Sequence, residues 1–156
     1  MSGALKAPAI LVDADACPVK DEIYKAAWRH DIPVHLFAAT WLRHPDHPAI
    51  TMTVAGDAFD AADDLIVAAA APGMLVITTD LPLADRAVKS GALVLTPKGE
   101  RLTPTNIGSR LATRDLLADL RGGLEGQGLG GPKPFSKADR SAFLQALETA
   151  LRTLGP

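Results

Sequence analysis

Aromatic side chains are scarce, at 4% of the chain. Ala, Val and Leu must therefore build the core, and stacking platforms for single-stranded nucleic acid are not expected. There is one cysteine, Cys17. That excludes a disulfide framework and agrees with a reducing compartment. No run approaches the roughly 18 apolar residues that span a membrane. Met1 to Pro8 carries one lysine and no long apolar run, so no signal peptide is expected. Net charge is also small, at −2. These absences point to a cytoplasmic chain with no membrane partner.

What remains is enough for one domain. The chain has 156 residues, 47% of them apolar, which suits a single hydrophobic core and argues against disorder. The small net charge hides an uneven distribution. Residues 1–97 hold seven Lys/Arg and twelve Asp/Glu; residues 98–156 hold nine and six. An acidic front with a basic back suits a metal site flanked by phosphate contacts.

The acids follow a pattern. Ile10-Leu11-Val12 runs into Asp13 and Asp15, and Pro18 can open a helix. Ile50–Val54 runs into Gly56-Asp57-Ala58-Phe59-Asp60-Ala61-Ala62-Asp63-Asp64, and Leu75–Thr79 runs into Asp80. Strands are expected at 9–13, 34–37, 50–54, 74–78 and 92–95. Helices are expected at 18–30, 57–71 and 81–90. Strand and helix alternate, which predicts an α/β fold with a mainly parallel five-stranded sheet, helices on both faces and the 9–13 strand inside. The carboxylates would then gather at the C-terminal edge, where open α/β sheets place ligands.

Residues 98–156 read as a helical appendage to that core of 9–97, within one domain 1–156. A helix at 103–121 opens at Thr103-Pro104. A loop at 122–134 has six glycines and two prolines. Ser136 caps a last helix to about residue 153, with Phe143, Leu144, Leu147 and Leu151 on one side.

Asp13, Asp15, Asp57, Asp60, Asp63, Asp64 and Asp80 can all reach the same edge. Like charges so crowded raise one another's pKa unless a cation sits among them. Oxygen-only donors favour Mg²⁺ or Mn²⁺ over Zn²⁺. The competing explanation is capping: Asp57 sits where an N-cap should, Asp60 lies in a first turn, and Asp80 could cap the 81–90 helix. On a helix beginning at 57, Asp63 and Asp64 lie too far in for that explanation. Cys17 reads as a small residue packed under the site. His44 and His47 read as loop histidines. Lys133, Lys137 and Arg140, beside the glycine loop, are candidate phosphate contacts.

The stretches Val12–Pro18, Gly56–Asp64, Ile77–Ala84 and Gly130–Ser136 resemble the motifs of the bacterial YaiI/YqxD family nearly end to end. That family is grouped with the PIN-like nucleases, which carry an Asp after the first strand, an acid on a central helix and a Thr-x-Asp turn. The resemblance implies Asp13, then Asp63 or Asp64, then Asp80 as the matching acids, with Thr78-Thr79 in support. It implies metal-dependent cleavage of nucleic acid, RNA ahead of DNA. Two alternatives remain open: a non-catalytic module of the same fold that binds RNA or protein, and a haloacid-dehalogenase-like phosphatase. For the latter, Gly56-Asp57-Ala58-Phe59-Asp60 misses the expected spacing by one residue.

Overall fold

The computed structural model describes residues 5–123 and 134–154. The chain runs β1 (Ala9–Asp13), a short 3₁₀ turn (Ala14–Ala16), α1 (Lys20–His30), β2 (Val34–Ala38), β3 (Ile50–Val54), α2 (Ala61–Ala69), β4 (Met74–Ile77), α3 (Leu81–Lys89) and β5 (Leu93–Leu95). It continues with β6 (Arg101–Leu102), α4 (Ile107–Gly123) and α5 (Lys137–Leu154). One sheet has the order β3-β2-β1-β4-β5-β6. β1 to β5 are parallel, and β6 is antiparallel to β5. β1 is interior, as its apolar run predicts, and residues 9–12 are buried.

Alternation along β1 divides the core into two layers. Ile10 and Val12 face α1 and α5, meeting Ile23, Ala27, Phe143, Leu147 and Leu151. Ala9 and Leu11 belong to the opposite layer, with Ile66 of α2, Leu83 and Ala87 of α3 and Ile107 of α4. The C-terminal segment is thus more than an appendage. Phe143, Leu147 and Leu151 are fully buried, and each contributes about 1.5–3 kcal/mol of apolar burial. A capping box starts α5 at the expected serine: Asp139 N–H donates to Ser136 Oγ (3.1 Å), and Ser136 N–H to Asp139 Oδ2 (3.0 Å).

Three expectations are corrected. The sheet has six strands, not five; β6 has only two residues, too few to show a period. α4 starts at Ile107 rather than 103, because Thr103 and Asn106 close a turn first: Thr103 N–H donates to Asn106 Oδ1 (2.8 Å) and Asn106 N–H to Thr103 Oγ1 (3.2 Å). α2 starts at Ala61 rather than 57. Gly56 and Asp60 both have positive φ, 86° and 60°, which breaks helical continuity across 57–60. Asp57 is therefore not the N-cap. Phe59, which a helix beginning at 57 would set on the same face as the buried Ile66, is 93% exposed.

Candidate metal centre

β1 and β4 are parallel neighbours, and Val12 pairs with Ile77. Both strands deliver polar residues at the same edge. Asp13, the last residue of β1, accepts a hydrogen bond on Oδ2 from the buried Thr78 hydroxyl (2.8 Å). Thr78 Oγ1 in turn accepts from Asp80 N–H (3.0 Å), and Asp80 Oδ1 accepts from Leu83 N–H (2.9 Å), capping α3. A continuous chain of bonds thus joins Asp13 to Asp80. Each carboxylate is anchored by one oxygen. Thr79 is exposed.

The first turn of α2 brings in a third acid. Burial pushes the Asp63 carboxyl up to about 6, and the charges of Asp80, Asp13 and Asp60 push the same way. Asp13 is also raised, first by burial and then by Asp80 and Asp15, against the lowering effect of the Thr78 bond. Asp64 turns elsewhere: it pairs with Arg86 of α3 at 3.0 Å, largely exposed. Of the two adjacent acids, Asp63 joins the cluster. Sequence spacing carries that signal, because Asp63 lies three residues before the buried Ile66, on the same helix face. Asp63 and Asp64 are in the first turn, not deep in the helix, so the helix dipole favours both.

Asp15 is exposed on the 3₁₀ turn, and its Oδ2 accepts from Ala39 N–H at 2.9 Å. It holds the exit of β2 against the edge. Asp60 occupies the N-cap position of α2 without a side-chain capping bond. Cys17 is buried in the apolar layer of Ile10 and Val12, and burial pushes its thiol up to about 11, so it stays protonated. Lys20 Nζ donates to the carbonyls of Ala14 and Cys17 (3.3 and 3.1 Å), closing the turn after Asp13. Arg140 donates to Glu22 (2.5 Å) and to the Pro18 carbonyl, with Phe135 under its guanidinium. It ties the start of α5 to the start of α1, beside the acidic edge. Lys137 is exposed on the same turn; Lys133 lies outside the described residues.

Among the described residues, no three His, Cys, Asp or Glu side chains form a group that could hold a metal ion. Two concavities, of about 480 and 360 Å³, lie between α2 and the β2–β3 strands and beneath α5. Neither is lined by an edge aspartate. What the edge offers is charge: carboxylates held close enough to raise one another.

Two consequences follow for stability. Asp63 binds its proton more tightly folded, at about 6, than at its ordinary 3.8. Between those values the folded state carries the extra proton, so stability falls as pH rises through that window. Water screening holds the effect to about 1 kcal/mol or less. Without metal, melting at pH 5 and 7.5 should show this decline, and Asp63→Asn should flatten it. Equal slopes in both proteins would contradict the assignment. Separately, Asp80→Ala should cost ~1 kcal/mol through loss of the α3 cap, whereas Asp80→Asn keeps the cap and removes a charge that raises Asp63, so near pH 7.5 it should melt at or above the wild type. Urea titration distinguishes the two.

The geometry defines a class: an α/β protein with one mostly parallel sheet, covered on both faces, whose C-terminal edge carries a braced set of aspartates. The chain belongs to the YaiI/YqxD family; residues 11–153 match the family model described as "Uncharacterized BCR, YaiI/YqxD family". Among its relatives is a UPF0178 protein of Jannaschia sp. (strain CCS1), 65% identical over 145 residues and covering 93% of each chain. Another, from Sphingopyxis alaskensis, is 57% identical over 147 residues, covering 94% of this chain and 95% of the relative. A third, from Rhodopseudomonas palustris (strain BisB18), is 53% identical over 145 residues, covering 93% and 92%. No solved structure matches the chain. Among the described residues, no helix is long and apolar enough to cross a membrane.

Proposed function

We propose that this protein is a PIN-like, divalent-metal-dependent phosphodiesterase that cuts RNA. The observation that carries the reading is the bonded chain Asp13–Thr78–Asp80 with Asp63 within reach of their charge. Asp13, Asp63 and Asp80 would hold the cation, with Asp60 and Asp15 at the margin; the three are not drawn into a ready metal-holding group as they stand, so the ion would have to bring them together. Oxygen donors alone fit a hard ion such as Mg²⁺ or Mn²⁺. When bound, such an ion lowers the pKa of water and neutralises charge on a scissile phosphate.

The chain's own residues do the positioning. Thr78 fixes one oxygen of Asp13, and the α3 N-terminus fixes one oxygen of Asp80, leaving the other oxygen of each as a donor. Asp63 must shed its proton before it can donate, which it does above pH about 6. Lys137, with Arg140 bracing the turn it stands on, offers flanking positive charge at the same edge. Hydrolysis needs no protein nucleophile: a water oxygen forms the new bond to phosphorus, a carboxylate takes the water's proton, the ester P–O bond breaks, and its leaving oxygen takes a proton from solvent.

The non-catalytic module has one observation in its favour, that no three described side chains form a metal-holding group. The two readings differ in turnover. A panel of structured and single-stranded RNAs should be cut in Mn²⁺, spared with chelator, and cut again on metal add-back. Binding without cleavage of any member would replace the nuclease with the binding module.

A further inference from the structure

Two of the few aromatic side chains stand on the acidic edge, exposed. Phe59 is 93% exposed and Trp41 64%. Their placement follows from the backbone. Beyond the last β2–β3 pair the two chains stay together: Ala55 N–H donates to the Ala38 carbonyl (2.8 Å) and Gly56 N–H to the Ala39 carbonyl (3.1 Å). Ala39 N–H is the group that Asp15 accepts from. Trp41 lies two residues beyond Ala39, a reach of at most ~7 Å, and Phe59 three beyond Gly56, at most ~11 Å. Asp60, the next residue, stands at the N-cap of α2, close enough to Asp63 for its charge to raise that carboxyl. Both rings are therefore within a few residues of the carboxylates.

The other exposed aromatic behaves differently. Trp28 belongs to the far end of α1, stacked on Tyr24 with a tilted His47 on it as well, at centroid distances of 6.5 and 5.4 Å. Trp41 has one ring neighbour, the tilted His44 at 5.8 Å. Arg43 beside it is exposed. The backbone between the two rings also leaves room, since a Cβ built on Gly56 meets nothing within 4 Å. Folding gains almost nothing from a phenyl ring held in water. A flat apolar face beside a cation suits a ligand with a π-face and a phosphate.

We infer that Trp41 and Phe59 are stacking platforms for unpaired nucleobases beside the phosphate held at the acidic edge, which makes the substrate single-stranded. A base paired within a helix has both faces covered and cannot stack on them. This rests on the nuclease reading for the location of the phosphate, but the stacking is measurable without turnover. Aromatic scarcity in the composition argued against such platforms; placement outweighs number, because two rings are enough to hold two bases.

Fluorescence polarisation tests it on the full chain. The probes are a 12-nucleotide unstructured RNA, the same sequence as DNA, its RNA duplex, and an abasic strand of equal length. The wild type should prefer the single strands to the duplex. Phe59→Ala and Trp41→Ala should each weaken single-strand binding about tenfold. Phe59→Trp should retain it, and binding of duplex or abasic strand should not change. Both positions are exposed, and unchanged melting will show that the variants fold. Unchanged single-strand affinity in both alanine variants overturns the inference, as does equal loss on the abasic strand. So does a dimer that Phe59→Ala splits without changing affinity. Cleavage lost on chelation while the alanine variants bind normally would keep the nuclease and remove the platforms; stacking without cleavage would do the reverse.

Discussion

Gly99→Ala should destabilise the protein by about 2–6 kcal/mol, more than most single substitutions. Gly99 turns the chain from β5 into β6 with φ at 91°. A Cβ there would lie 2.7 Å from the carbonyl carbon and oxygen of Ala142 and 2.9 Å from Phe143 N, all backbone atoms of α5. Two costs combine: a positive φ on a side-chain-bearing residue, about 1–3 kcal/mol, and overpacking against a helix that cannot yield locally, about 1–3 kcal/mol. Gly56→Ala is the control. Its φ is also positive, but its Cβ would enter open space, so only the first cost applies. Urea unfolding of both variants, at unchanged m, separates the terms. A Gly99→Ala cost no larger than that of Gly56→Ala would show that the α5 contact is not tight. The helix matters beyond stability, because Arg140 on its first turn grips Glu22 and Pro18 next to the acids.

Asp13→Asn should reduce metal-dependent RNA cleavage by more than ~100-fold, since even partners behind metal ligands cost 10–100-fold when removed. The substitution keeps the size of the side chain and an oxygen for the Thr78 hydroxyl, so the strand end should hold its shape. It removes one of the charges that raise Asp63. The metal-free variant should therefore melt at or above the wild type near pH 7.5, a gain of up to about 1 kcal/mol after screening. Mn²⁺ should then stabilise the wild type, by ~2.7 kcal/mol at a hundredfold excess over Kd, and the variant far less. An Asp13→Asn protein that melts lower without metal yet gains as much from Mn²⁺ would remove Asp13 from the centre.

The sequence made the centre of the sheet plain for a physical reason. Residues 9–12 are apolar on both faces, a pattern that only an interior strand of a covered sheet satisfies. Parallel strands ending in acids then brought Asp13 and Asp80 to one edge without any further information. α2 misled because its periodicity continues too far back. Phe59, Ala62 and Ile66 fit a helical stripe, and what stops the helix is positive φ at Gly56 and Asp60, which periodicity does not encode. That one error hid both the exposure of Phe59 and the first-turn position of Asp63. The double role of Asp80, cap and cluster member, was half visible: the cap could be read from its place before Leu81-Pro82, whereas the bond through Thr78 needed the strand register. Trp41 carried no local signal, because its position depends on how the β2 exit is held by Asp15.

The central claim is that Asp13, Asp63 and Asp80 together bind a hard divalent cation. Anomalous diffraction from crystals soaked in Mn²⁺ at pH 7.5, where Asp63 is ionised, tests it most directly. One strong peak is expected at the C-terminal edge, with oxygens of all three carboxylates at about 2.0–2.3 Å, and no such peak in Asp13→Asn crystals. A fully occupied peak elsewhere, or none at the edge with Mn²⁺ at millimolar excess, would contradict it.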